Sequence, residues 1–112
     1  ELCEWQDARV HIISHGMHYA SLVFEGLRVY NKKIFKLKEH TDRLFNSAKI
    51  LDMKIPYSCN EIMEATKKLV SDQDIENGYI RPFVWRVGPR IEPRTPCSLV
   101  RYHIPSYNYG SL

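Results

Sequence analysis

Several common signatures are missing from this sequence, and each absence closes a class of function. Cysteine is scarce: Cys3, Cys59 and Cys97 stand far apart in 112 residues. No zinc or dithiol spacing joins them, so a disulfide framework is not expected and a reduced, cytoplasmic setting is. The apolar runs are only a few residues long, too short to cross a bilayer. No secretory leader opens the chain, and it starts at Glu1 rather than Met, which fits a piece of a longer protein. There is no excess of one charge: 16 basic against 13 acidic residues leave +3, spread along the chain, so nucleic acid is not an expected partner. No glycine-rich phosphate loop, Ser-His-Asp arrangement or close carboxylate pair occurs, and no segment repeats.

What is present reads as one small globular domain, with hydrophobic residues at 44% and charged residues at 26%. The most informative stretch is His18 to Tyr30. From Val23 onward it alternates, with Val23, Glu25, Leu27 and Val29 on one side and Phe24, Gly26, Arg28 and Tyr30 on the other. Period two indicates a strand. Phe24, Gly26 and Arg28 would then share a face: an apolar wall, a gap where a ligand can reach backbone, and a cation. An ordinary strand with an exposed Arg and a Gly at a bend has the same pattern.

Upstream, Val10 to Ile13 reads as a short strand, and His15 to Ser21 as one or two helical turns. Asn31-Lys32-Lys33 looks like a hairpin turn, with Ile34 to Leu37 as the returning strand. A helix is expected from about Lys38 to Asp52, with Leu44, Ala48 and Leu51 at helical spacing and Thr41 and Phe45 beside them. Pro56 restricts the residue before it and ends that segment. Ser58 and Glu61 have capping-box spacing, opening a second helix from about Cys59 to Ser71 whose face is Ile62, Met63, Thr66, Leu69 and Val70. Tyr79 to Trp85 reads as a third strand with Pro82 at an edge or bulge. Partial segregation of helices and strands indicates α+β, antiparallel strands packed with two helices. Beyond that point prolines crowd and no period is sustained, so residues 87–112 are expected to be an irregular tail on a domain of residues 1–86.

Two side-chain sets invite chemistry. His11, His15 and His18 are spaced four and three apart, as metal ligands on one helix face would be, but Gly16 interrupts them and no further ligand completes a set, so no metal site is expected. Arg43 sits beside core-facing Leu44, at the margin of the helix's buried face. From there it could reach a cleft and hold a phosphate by paired hydrogen bonds. The commoner arrangement for such an Arg is a surface pair, here with Glu39, four residues earlier.

Taken together, these segments resemble a known family. Trp5-Gln6-Asp7-Ala8, Val10 to Tyr19, Val23-Phe24-Glu25-Gly26-Leu27-Arg28, Ile34 to Leu44, Ser47-Ala48-Lys49, Ile55-Pro56-Tyr57 and Tyr79-Ile80-Arg81-Pro82 look like the small domain of class IV aminotransferases that use pyridoxal 5'-phosphate. Phe-Glu-Gly followed by Arg28 is similar to the branched-chain amino acid aminotransferase branch. The resemblance runs in order from about residue 5 to 86. It implies that Arg43 binds the cofactor phosphate, and that Tyr19 and Phe24 surround a branched substrate side chain. It places Gly26 and Arg28 in the same wall, Arg28 on its carboxylate side. It also implies leucine, isoleucine, valine and 2-oxoglutarate as substrates, and a homo-oligomer in which small-domain residues reach a neighbouring subunit's site.

Two departures accompany the resemblance. The family's catalytic lysine, which holds the cofactor and moves the proton at the α-carbon, belongs to a second, larger domain, and none of the lysines here lies in its context. The tail does not look like the family's continuation. The expectation is therefore a fragment, inactive alone, of a branched-chain amino acid aminotransferase. The alternatives are a non-catalytic remnant serving as a binding or dimerisation module, and a His-rich metal-binding domain.

Overall fold

Burial alternates from Val23 to Tyr30 as the sequence predicts, with Glu25, Leu27 and Val29 buried and Phe24, Arg28 and Tyr30 exposed. The strand is nevertheless not continuous. In a computed structural model, which describes residues 3–87, 99–103 and 106–108, it is split into β1 (Leu22–Phe24) and β2 (Leu27–Tyr30), and the two lie in different sheets. The expected third strand is split in the same way, into β4 (Gly78–Ile80) and β5 (Phe83–Val87), with Arg81-Pro82 between them. Proline has no N–H for a ladder, which accounts for the second break. The breaks lie side by side, and the Glu25 N–H donates to the Pro82 carbonyl at 2.9 Å.

The antiparallel sheets follow from these breaks. One has β5 between β1 and β6 (Leu99–His103); the other runs β3 (Lys33–Ile34), β2, β4, β7 (Ser106–Asn108). Leu22 pairs with Trp85 and Phe24 with Phe83; Leu27 pairs with Ile80 and Arg28 with Tyr79. The expected end of regular structure at residue 86 does not hold. Val87 belongs to β5, β6 pairs with β5 from Val87↔Leu99 to Phe83↔His103, and β7 pairs with β4. Each strand is too short to show a period, and its order comes from partners already in place. The rest of the expected tail lies outside the described residues.

Asn31 and Lys32 both take positive φ, 48° and 65°, the backbone of a tight hairpin turn. The return is shorter than expected: Lys36 is left-handed at φ 56°, and helix α2 starts directly after it, at Leu37–Ile50. No strand forms over residues 10–13, whose side chains are exposed, and α1 is the single turn His15–Tyr19. The second long helix, α3 (Cys59–Asp72), begins with the expected capping box: the Glu61 N–H donates to Ser58 Oγ at 3.2 Å, and the Ser58 N–H to Glu61 Oε2 at 2.7 Å.

Two apolar clusters form the core. Leu44 and Ala48 of α2 meet Ile62 of α3 and Val84 of β5, with Met53 and Ile55 closing the end. Val70 of α3 meets Leu27, Val29 and Ile80 of the other sheet, with Ile75. Ile62 and Val70 are two turns apart, about 12 Å along the helix, so α3 spans both clusters. Buried Thr41 and Thr66 satisfy their hydroxyls on the carbonyls four residues earlier, at 2.8 and 2.7 Å. Arg86 on β5 donates to the carbonyls of Leu51 and Asp52, at 2.8 and 3.2 Å, where α2 ends with exposed acceptors. The fold is α+β, as expected, with helices and antiparallel strands.

Candidate functional site

The exposed side of β1, β2 and β4 carries a cluster of aromatic and cationic side chains. Phe24 is 52% exposed. The guanidinium of Arg81 lies over its ring, 4.6 Å from the centroid, and also 5.6 Å from the ring of Tyr79. Arg81 donates from Nε and Nη2 to the Tyr79 hydroxyl at 3.2 and 3.1 Å. Next to it, Arg28 faces Tyr79 across the ladder and lies over Tyr30 at 5.4 Å. Two cations beside a phenol and an open aromatic face can hold a carboxylate and an apolar side chain together.

Gly26 has a different role from the expected gap. A β-carbon there would stand 2.6 Å from the Tyr79 hydroxyl and 3.1 Å from its Cε2, so the missing side chain leaves room for the tyrosine. The space is filled by the protein itself. Phe24, Gly26 and Arg28 do share a face, joined by Tyr79 and Arg81.

Arg43 lies on the other side of the chain. The expected pairing with Glu39 is not formed: Glu39 approaches Lys36 at 3.7 Å. Arg43 turns instead to Glu25, donating from Nε to Oε1 at 2.6 Å and from Nη2 to Oε2 at 2.8 Å. Glu25 is only 4% exposed in its side chain and Arg43 is 66% exposed. His40, one turn before Arg43 on α2, reaches the same Oε2 through Nδ1 at 2.8 Å. A carboxylate accepts, so Nδ1 carries a hydrogen, and its 3.3 Å approach to Arg43 Nη2 is two donors converging on one oxygen. Burial pushes the Glu25 carboxyl up, and the hydrogen bonds from Arg43 and then His40, reinforced by their charge, more than reverse this, leaving it below its ordinary value.

Tyr19 sits on α1, 42% exposed, with its ring packed on buried His15 at 4.7 Å. The three spaced histidines do not converge. His11 Nδ1 accepts from the Ile13 N–H at 3.2 Å, His15 Nδ1 meets Ser21 Oγ at 2.7 Å, and His18 Nε2 donates to the Ile12 carbonyl at 2.8 Å. Among the described residues no group of three His, Cys, Asp or Glu side chains could hold a metal ion. No helix there is long and apolar enough to cross a membrane.

Sequence reasoning did not single out Tyr79, Arg81, Glu25 or His40. The signal for Glu25 was present: a carboxylate among the inward positions of an otherwise apolar strand face requires partners. Tyr79 and Arg81 alternate as Phe24 and Gly26 do, but only the β2–β4 pairing shows that the two faces coincide.

Residues 22–111 match the amino-transferase class IV family. The probable branched-chain-amino-acid aminotransferase of Rickettsia typhi is 49% identical over 85 residues, covering 76% of this chain and 30% of the relative. The branched-chain-amino-acid aminotransferase of Pseudomonas aeruginosa is 42% identical over 115 residues, covering 99% and 38%. The solved branched-chain aminotransferase of the thermophilic archaeon Thermoproteus uzoniensis, with norvaline, superposes with a TM-score of 0.90 at 30% identity, covering 98% of this chain and 39% of that one. Another solved branched-chain amino acid aminotransferase, from T.th. and with pyridoxamine 5'-phosphate, superposes with a TM-score of 0.91 at 33% identity, covering 98% and 38%. The chain thus spans about a third of the length of these relatives, including residues beyond 86. It belongs to the class IV amino-transferase family.

Proposed function

We propose that this chain supplies the small-domain part of a branched-chain amino acid aminotransferase, which moves the amino group between leucine, isoleucine or valine and 2-oxoglutarate with pyridoxal 5'-phosphate. The observation that carries the reading is the wall itself: exposed Phe24 lies beneath Arg81, with Arg28 and Tyr79 beside it. Phe24 gives apolar contact to a branched side chain, while Arg81 and Arg28 hold a carboxylate and Gly26 lets Tyr79 close the floor. The cofactor fits the donors present. Arg43 spends two N–H groups on Glu25 and keeps others for a phosphate oxygen. Bound there, pyridoxal phosphate would supply an electron sink for charge developing at the α-carbon. Arg43 projects from α2 onto Glu25, which leaves the chain on the face opposite Phe24, so the structure does not bring Arg43 together with the wall.

A homo-oligomer is part of this proposal. Ile12, Met17, Tyr19 and Leu22 are exposed apolar side chains on and around α1, and Tyr19 among them would reach a neighbouring subunit's substrate. The free thiols of Cys3 and Cys59 accord with a cytoplasmic setting.

Titrating the chain with 4-methyl-2-oxopentanoate and following side-chain NMR signals tests the reading. Shifts should concentrate on Phe24, Tyr79 and Arg81, and Arg81→Ala should remove them. Binding that leaves these three signals unmoved would count against the wall as the substrate site.

A further inference from the structure

The junction between β1 and β2 holds a second device, one that acts through Arg43. Glu25 is fixed at the seam by its own N–H on the Pro82 carbonyl. Its side chain is nearly sealed, yet it makes a two-pronged contact with an arginine that is two-thirds exposed. Arg43 is anchored in the helix next to Leu44, which is fully buried. His40 occupies the same helix face one turn earlier and closes on Glu25 Oε2.

The atoms used decide what remains. Nε and one hydrogen of Nη2 point to the carboxylate. Nη1 and the outer hydrogen of Nη2 form the end edge of the guanidinium, which adjoins the one Glu25 occupies and is not used by it. A free arginine side chain would sample many rotamers, and ordering it on binding reduces affinity. Here the ordering is done before any ligand arrives, by a carboxylate fixed at the strand junction and a histidine on α2.

We propose that Glu25 is a positioning residue, clamped by His40, which holds Arg43 so that its outer N–H edge is presented to a phosphate monoester; this rests on the reading of Arg43 as the phosphate-holding residue. Glu25 does not touch the phosphate. Its negative charge lies behind the guanidinium, farther from a bound anion than the cation is, so the attraction is larger than the repulsion. Glutamine at this position would keep the shape, but it would turn an amide N–H₂ toward one of the two donors and release the arginine.

The test uses the whole chain, with inorganic phosphate and pyridoxal 5'-phosphate as probes, and measures binding by NMR for the parent, Glu25→Gln, Arg43→Ala and the double variant. Glu25→Gln should weaken inorganic phosphate binding about tenfold, the scale of one immobilised side chain. Arg43→Ala should abolish it, and the double variant should match Arg43→Ala. A folded Glu25→Gln chain that binds phosphate as tightly as the parent, while Arg43→Ala does not bind, overturns the positioning role alone. Arg43→Ala binding like the parent, or a parent that binds no phosphate, overturns the reading of Arg43 itself.

Should Glu25→Gln fail to fold, the parent chain still decides. The Arg43 Nε–H signal should exchange slowly and stay in place when phosphate shifts the Nη signals. An Nε–H that exchanges as in free arginine overturns the proposal.

Discussion

The Tyr79 hydroxyl stands 2.6 Å from where a β-carbon on residue 26 would be, so the floor of the aromatic wall depends on the absence of one methyl group. Gly26→Ala should push the Tyr79 ring outward and break its two hydrogen bonds from Arg81. The expected result is a folded chain in which the Arg81 Nε–H exchanges with water several-fold faster, because the phenol no longer protects it. An unchanged exchange rate would show that the ring yields without disturbing Arg81.

Acid should reveal the buried carboxylate. The folded-state pKa of Glu25 lies below its ordinary value of 4.5. A lowered carboxyl contributes stability that is complete above the unfolded value and is lost as pH falls through the folded one. Melting temperatures taken from about pH 7 down to about pH 3 should therefore drop more steeply for the parent than for Glu25→Gln. Asp74 and Glu61, also lowered by their hydrogen bonds to Lys32 and Ser58, are present in both proteins and cancel. Parallel profiles would detach Glu25 from acid stability.

Much of this arrangement was legible in the residues, and what was not has identifiable causes. The Ser58–Glu61 box and the α3 face of Ile62, Thr66, Leu69 and Val70 are local, so spacing alone revealed them. Burial alternation from Val23 to Tyr30 was local too. The splitting of that strand was not, since its two halves pair with segments far along the chain. Counting along α2 offers Arg43 only Glu39 as a partner; Glu25 reaches it across the fold. β6 and β7 were missed because three to five residues beside prolines show no period.

Removing the α3 cap offers a clean test of local stability. Ser58→Ala deletes the acceptor for the Glu61 N–H and should lower unfolding stability by about 1 kcal/mol. Urea denaturation would measure it, with the slope of the transition unchanged. A loss no larger than experimental error would mean that water replaces the hydroxyl fully.

Turnover by this chain alone should be absent. A nucleophilic lysine needs a lowered pKa from burial or neighbouring cations. Lys32, Lys33, Lys36, Lys38, Lys49, Lys54, Lys67 and Lys68 are all exposed. Lys32 and Lys38 are shifted the wrong way, upward, by hydrogen bonds to Asp74 and Asp42. Incubated with pyridoxal phosphate, leucine and 2-oxoglutarate, the chain should form glutamate no faster than free cofactor does. A faster rate in contaminant-free protein would identify a reactive lysine among these eight.

The side-by-side breaks at Glu25-Gly26 and Arg81-Pro82 also bear on the order in which the chain acquires structure during synthesis. Every strand in the first third, apart from the short turn onto β3, waits for a partner that the ribosome delivers only after α2 and α3. Helices close locally and early, whereas pairings this distant must first bring the chain ends together. The two helices would therefore stand for a time with their apolar faces bare, and both sheets would lock in one late event when the Glu25 N–H meets the Pro82 carbonyl. Pulse-labelled hydrogen exchange during refolding should show α3 amides protected before those of β1 and β2, and simultaneous protection would contradict that order.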